Sequence, residues 1–126
     1  MKLAEIKEIL QAEILTTEFD PELDIEIGCS SDLMSDILAF AQPGSVLVTS
    51  LINVQVINTA NIADIKVVCF VMDKDPHQSI ITHAEKNSIA VLKTKFTTFE
   101  CCGLLYMNGL KSCNYTKFDN FKTYII

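Results

Sequence analysis

The sequence has few glycines, and their arrangement argues against the common nucleotide-binding loops. Only Gly28, Gly44, Gly103 and Gly109 occur among the 126 residues. They form neither G-x-G-x-x-G, the turn that brings the backbone against a dinucleotide, nor G-x-x-x-x-G-K, the loop that cradles nucleotide phosphates. We therefore do not expect dinucleotide binding in the usual manner or P-loop chemistry.

The chain is also poor in positive charge. Lys and Arg together number ten, against sixteen Asp and Glu, so the formal net charge is −6. An acidic domain repels phosphate backbones and anionic headgroups, so neither nucleic acid nor a membrane surface is an expected partner. No apolar run reaches the roughly 18 residues of a membrane span, and the N-terminus lacks the apolar core of a signal peptide. We expect a cytoplasmic location.

The cysteine pattern favours neither a disulfide framework nor a metal site. The chain has five cysteines, an odd number, and no C-x-x-C pair. Reduced and mostly buried thiols are the expectation. Cys101 and Cys102 are adjacent on a predicted helix, so their side chains point about 100° apart and cannot bind one ion without distortion. His77 and His83 lie on different faces of another predicted helix. We expect no metal and no cofactor.

Short apolar segments alternate with helical patterns along the chain. "SVLVTS", "KVVCFV" and "SIAVLKT" are typical of buried strands, and a helical pattern follows each one. Repeated units of about 20 residues imply parallel strands joined by crossovers. The sequence thus predicts a three-layer α/β domain with a mostly parallel sheet flanked by helices. We place this domain at residues 1–110 and treat residues 111–126 as a C-terminal extension that packs on the domain or on a dimer partner.

Polar side chains gather where predicted strands pass into predicted helices. Ligands bind outside the carboxyl ends of the strands in open parallel sheets, and helix N-termini attract anions. The same residue types also cap helices, and capping alone would explain them. Asp75 before Pro76, and Thr97 with Glu100, are typical capping patterns. Both interpretations stay open. The candidate ligand-binding residues are Ser30, Ser31, Asp32, Thr49, Ser50, Asn53, Thr94 and Thr97.

The helix predicted over residues 97–108 has almost no polar face. A helix that is apolar all round must be covered on all sides, which a domain of this size seldom achieves alone. We therefore expect a homodimer with a two-fold axis. The alternative is that the aromatic residues of the C-terminal extension cover this helix within one chain. The candidate interface residues are Phe99, Cys102, Leu105 and Tyr106.

Three segments resemble the DRTGG domain, in particular its short stand-alone members: "SDLMSDILAF", "NVQVINTA" and "FTTFECCGLLYMNGL". The resemblance implies an α/β regulatory domain that tends to dimerise, with relatives beside CBS modules in some inorganic pyrophosphatases and within phosphotransacetylases. It also implies an anaerobic source, since stand-alone members accompany iron-only hydrogenase genes in anaerobes. The family's Asp-Arg-Thr-Gly-Gly signature would fall at residues 50–55, which read Ser-Leu-Ile-Asn-Val-Gln, with neither Arg nor Gly.

The polar strand ends have no nucleophile–base pair, so we do not expect an enzyme. The leading hypothesis is a non-enzymatic regulatory or ligand-sensing domain. It would bind an adenine nucleotide or another small anion at the carboxyl ends of the strands and act as a homodimer. The alternative is a protein–protein assembly module without a ligand, linked to iron-only hydrogenase or signalling systems. A cysteine-dependent redox or metal protein is the least favoured hypothesis.

Overall fold

A computed structural model describes residues 1–113, and these residues form helices and strands in alternation. The helices are α1 Leu3–Ile9, α2 Met34–Phe40, α3 Val54–Ile62, α4 Gln78–Lys86 and α5 Thr98–Met107. The strands are β1 Glu13–Ile14, β2 Ile27–Ser30, β3 Val46–Thr49, β4 Val67–Phe70, β5 Ala90–Lys93 and β6 Lys111–Ser112. None of these helices is long and apolar enough to cross a membrane.

The strands form one sheet in the order β1-β5-β4-β3-β2-β6. All neighbouring pairs are parallel except β1 with β5, which is antiparallel. The chain therefore builds β2 to β5 side by side and then returns across the sheet to place β6 beside β2. This arrangement confirms the predicted α/β class with a mostly parallel sheet.

Helices cover both faces of the sheet, because the central strands are apolar on both sides. In β4, Val67 and Cys69 pack with α1 and α5, whereas Val68 and Phe70 pack with α2, α3 and α4. All four side chains are fully buried. This is the reason that the five residues after Lys66 in "KVVCFV" are all apolar: alternate residues pack in two separate cores.

One predicted helix start differs from the structure. Asp75 does not cap α4; that role falls to His77, whose ring nitrogen accepts a hydrogen bond from the Ser79 amide. Asp75 instead pairs with Lys93 of β5. The first two residues of the predicted C-terminal extension form strand β6, so the sheet continues beyond residue 110. The rest of that extension, from residue 114, lies outside the described residues.

Helix α5 is covered on one side only within residues 1–113. Its Cys101 and Leu105 are buried against the sheet and α1. Phe99, Tyr106 and Met107 are 88%, 73% and 82% exposed. Leu105, one of the four predicted interface residues, is 3% exposed and packs in the chain's own core.

Candidate functional site

Asp32 is the centre of a hydrogen-bonded cluster at the carboxyl ends of β2 and β3. Its Oδ1 accepts a hydrogen bond from the Thr49 hydroxyl at 2.9 Å and another from the Ser50 amide at 2.8 Å. The Ser50 hydroxyl donates to the other carboxylate oxygen. We call Asp32, Thr49 and Ser50 the Asp32 cradle. Three donors from one turn converge on a single carboxylate.

The register of the parallel strands creates this cluster. Gly28 lies opposite Val46 and Ser30 opposite Val48, a constant offset of eighteen residues. Continuing the same offset past the strand ends brings Asp32 beside Ser50. Two segments that are distant in sequence thus meet at the edge of the sheet where parallel folds bind ligands.

The charge state of Asp32 is fixed by its donors. The side-chain hydrogen bond from Ser50 is the main cause that holds the pKa of Asp32 below its usual range. The Ser50 amide, the Thr49 hydroxyl and the positive charge of Lys74 act in the same direction, and desolvation opposes them. Lys74 also donates to the Ser50 carbonyl at 2.8 Å, which steadies the turn that carries the donors. Asp32 is therefore a carboxylate at neutral pH.

Three other predicted residues of this sheet end have different contacts. Asn53 caps α3, because its side-chain oxygen accepts a hydrogen bond from the Val56 amide at 3.2 Å. Ser31 accepts a hydrogen bond from the Leu33 amide at 3.0 Å. Ser30 lines a cavity under α5. Neither Ser31 nor Asp32 supplies a side-chain cap to α2, whose N-cap residue is Leu33.

Thr94 and Thr97 do not join the Asp32 cradle. Thr94 is buried and donates to the Leu10 carbonyl at 2.7 Å, so it ties β5 to the end of α1. Thr97 forms the predicted capping box with Glu100 at the start of α5. Strands β5 and β2 are three positions apart, roughly 14 Å at the usual strand spacing. The eight candidate residues therefore do not form one site.

The sequence interpretation did not select Lys74 and Lys93 as site residues. Lys93 pairs with Asp73 at 3.3 Å and with Asp75. The pKa of Lys93 is raised, mainly by its hydrogen bond to Asp75. The sequence signal that could have indicated these lysines is the alternation of acid and base in Asp73-Lys74-Asp75, shortly after a buried strand. Its partners lie on other strands, so the sequence alone does not reveal them.

The cysteines form thiol contacts but no metal site within residues 1–113. No group of three Cys, His, Asp or Glu side chains in this part of the chain could hold a metal ion. Burial, together with the neighbouring Cys113, raises the pKa of the Cys29 thiol to about 12. A hydrogen bond with Cys101 is the main cause that raises the pKa of Cys69. The same hydrogen bond lowers the pKa of Cys101. The thiols of Cys29 and Cys69, which stay protonated, are poor nucleophiles and poor ligands.

The architecture and the position of the cluster define a three-layer α/β domain with polar groups at the carboxyl edge of its sheet, the edge at which parallel folds bind ligands. No family model matches the sequence. A search of curated proteins also finds no match. Among solved structures, the chain resembles the regulatory region of the Clostridium perfringens pyrophosphatase, a crystal structure of CBS and DRTGG domains in complex with the activator diadenosine tetraphosphate.

This structural likeness has a TM-score of 0.69 at 18% sequence identity. It covers 82% of this chain and 45% of the pyrophosphatase chain, so the protein spans less than half of the structure that it matches. At this level of identity the likeness establishes a shared fold. It agrees with the fold that the DRTGG resemblance implies.

Proposed function

We propose that the chain is a DRTGG-like regulatory domain without catalytic activity, which senses a small anion or an adenine nucleotide and acts as a homodimer. The observation that carries this proposal is the Asp32 cradle: three preorganised donors surround a negative charge at the carboxyl edge of a parallel sheet. Proteins bind phosphate and carboxylate groups with the same donors, backbone amides and hydroxyl groups. The fold shared with a nucleotide-activated regulatory region supports it.

The composition of the cradle supports the proposal that the domain has no catalytic activity. Its hydroxyls, from Thr49 and Ser50, contact a carboxylate that accepts their hydrogen bonds and has a lowered pKa. Such a weak base does not activate a hydroxyl for attack at neutral pH. Binding is therefore the chemistry that the arrangement supports.

Asp32 would occupy, in the unliganded protein, the hydrogen-bond donors that the ligand uses when it binds. An incoming anion competes for the Ser50 amide and the Thr49 and Ser50 hydroxyls, and Asp32 must leave them for the anion to bind. Residues 31–33, which connect β2 to α2, are then released from β3. Ligand binding would in this way change the position of α2, and that movement would be the regulatory signal.

The test compares the full-length protein with its Asp32→Asn variant. Inorganic phosphate, AMP, ATP and diadenosine tetraphosphate are titrated by calorimetry and by thermal shift. Asp32→Asn removes the competing charge at constant size, so we expect it to bind the responsive anion at least several-fold more tightly than the wild type. Asp36→Asn, a change of an exposed aspartate on α2, is the matched control and should leave affinity unchanged.

Two outcomes would contradict ligand sensing at the cradle. In one, neither protein responds to any of the four anions. In the other, the Asp32→Asn and Asp36→Asn variants bind with the same affinity, which would mean that Asp32 does not compete for the ligand.

The homodimer is proposed from the exposed side of α5. Phe99, Tyr106 and Met107 form an apolar surface on one helix, and burial of such side chains contributes about 1.5–3 kcal/mol each before the costs of association. Phe99→Ser should shift the protein from dimer to monomer in light scattering, and Lys95→Ser should not. A monomeric wild type at high concentration would refute the dimer.

A second candidate function is an assembly module that binds another protein through the same surface and binds no ligand. The exposed apolar residues of α5 favour it directly. Pull-down from native extract of the source organism, with Phe99→Ser as the control, tests it. Loss of a specific partner, such as a component of a hydrogenase or signalling system, together with silence in the anion titrations, would favour this function over ligand sensing.

A further inference from the structure

On the basis of the function proposed above, we infer that Lys74 selects the ligand of the Asp32 cradle, and that this ligand is a phosphate monoester. Carboxylates and phosphate diesters, which carry a single charge, are disfavoured. The ammonium group of Lys74 lies beside the turn that supplies all the donors of the cradle. Lys74 Nζ donates to the Ser50 carbonyl at 2.8 Å, and the amide and hydroxyl of the same Ser50 donate to Asp32.

The two acidic neighbours of Lys74 are paired with another lysine. Asp73 pairs with Lys93 at 3.3 Å, and Asp75 pairs with the same side chain. Lys74 has no carboxylate within ion-pair distance in residues 1–113. It is half-buried, and its charge adds to the Ser50 hydrogen bonds that lower the pKa of Asp32. The positive charge of Lys74 is therefore available to a ligand of the cradle.

The loop after β4 holds Lys74 in place. Met72 and Asp73 have φ angles of 60° and 58°, in the left-handed region that residues other than glycine seldom adopt. Their amides donate to the carbonyls of Phe96 and Thr94, at 2.8 Å each, so the loop after β5 fixes this conformation. A backbone that is costly in this way persists where the surrounding structure determines it. Lys74 thus comes to the cradle from a rigid loop.

A monoanion gains little when it displaces Asp32. It brings one negative charge to a site that loses one negative charge. It also gives up translational freedom, which a side chain of the same chain does not have to lose. Asp32 therefore competes as a carboxylate at high effective concentration. A ligand that displaces Asp32 must make an interaction that the carboxylate does not make.

A phosphate monoester has a third free oxygen and more charge than a carboxylate, about −1.5 to −2 at pH 7. Asp32 uses its two oxygens for the three hydrogen bonds from Thr49 and Ser50. On a bound phosphate, two oxygens would accept these bonds and the third would accept from Lys74. The ammonium group has three donors, and one of them serves the Ser50 carbonyl. A diester or a carboxylate has only two free oxygens, so it cannot engage all these donors in this way.

The experiment is a ¹H–¹⁵N NMR titration of the full-length protein at pH 7 with two matched pairs of ligands. The pairs are AMP with its methyl ester, and methyl phosphate with dimethyl phosphate. In each pair, esterification removes one charge and one free oxygen. We expect saturable shifts at Asp32 and Ser50, with the monoester bound about 5-fold more tightly than its methyl ester. This is the upper end of the range for an exposed ion pair, because Lys74 is half-buried.

Three variants assign the preference to Lys74. Lys74→Met should reduce the preference for the monoester to less than about 2-fold. Lys74→Arg keeps the positive charge and should preserve most of the preference. Lys95→Met, the matched control, removes an exposed lysine from the loop after β5 at the same edge of the sheet, and should behave as the wild type.

Two outcomes would overturn the role of Lys74 and leave ligand sensing at the cradle intact. One is equal affinity for monoester and methyl ester in a protein whose Asp32→Asn variant binds both more tightly. The other is a preference for the monoester that Lys74→Met does not change. Absence of saturable shifts with all four ligands, in the wild type and in Asp32→Asn, would overturn the proposed function and the role of Lys74 together.

Discussion

Replacement of Asp32 by alanine tests whether the cradle holds two parts of the fold together. The substitution removes the acceptor of three hydrogen bonds, two from Ser50 and one from Thr49. Hydrogen bonds to charged groups contribute about 1.5–3 kcal/mol when they are well shielded. Asp32 is exposed, so water can replace much of each bond, and we expect a total loss of about 1–2 kcal/mol in the free energy of unfolding.

Urea unfolding followed by circular dichroism at pH 7 measures this loss, provided that the slope against denaturant is unchanged. Asp36→Ala, on the exposed side of α2, is the matched control and should stay within about 0.5 kcal/mol of the wild type, the range of ordinary surface substitutions. A value for Asp32→Ala inside that same range would refute the idea that the cradle contributes to stability.

The pH dependence provides an independent check of the same reasoning. The pKa of Asp32 is lowered in the folded protein, chiefly by the Ser50 hydroxyl, from an ordinary value of 3.8. Its contribution is therefore complete above pH 3.8 and is lost as the pH falls through the lower folded value. The difference between wild type and Asp32→Ala should be constant from pH 7 to pH 5 and should shrink below pH 3.8. A difference that grows under acid conditions would contradict the assignment.

Four further substitutions test other parts of the structure by the same unfolding assay. Thr59→Val should stabilise the protein by about 1 kcal/mol, because the buried Thr59 hydroxyl has no hydrogen-bond partner within the described residues; a loss of stability would contradict this. Ser88→Gly should stabilise by about 0.5–1 kcal/mol, since Ser88 has a φ of 56°, whereas Gly44→Ala, at a φ of 80°, should destabilise. Thr97→Ala should cost about 1 kcal/mol through loss of the α5 cap, and an unchanged stability would show that the cap is dispensable.

The sheet could be predicted from the sequence because its signals are local. The segment "SVLVTS" contains β3, Val46–Thr49, and "KVVCFV" contains β4, Val67–Phe70. The capping box of Thr97 and Glu100 is likewise complete within four residues. Each of these patterns is read within one element, so no knowledge of the rest of the fold is needed.

The predictions that depended on distant partners were less successful. Asp75 before Pro76 is a typical start of a helix, but Lys93 of the neighbouring strand pairs with Asp75 and the helix begins after His77. Leu105 and Tyr106 are adjacent in sequence and both largely apolar, yet Leu105 is buried and Tyr106 is 73% exposed. Which of the two side chains is buried depends on the direction in which α5 crosses the sheet.

The candidate site shows the same division. The alternation of strands and helices in the sequence is enough to predict that polar residues collect at the carboxyl ends of the strands. In the structure, Asp32 accepts hydrogen bonds from Thr49 and Ser50 and does not cap α2. This pairing follows from the register of β2 and β3, which only the folded chain defines. The sequence predicted that Asp32, Thr49 and Ser50 lie at the carboxyl edge of the sheet, but it did not predict that they bond to one another.

The return of the chain from β5 to β6 places α5 over β2, the strand that leads to the Asp32 cradle. Helix α5 makes this return and packs over β2 and β3, so the cavity beneath it opens against Gly28 and Ser30. Asp32 follows the same strand by two residues and ties it to the β3 turn. β2 therefore has the cavity along its length and the cradle at its carboxyl end. Because this strand is short, the displacement of Asp32 that we propose would act directly on the strand over which α5 packs.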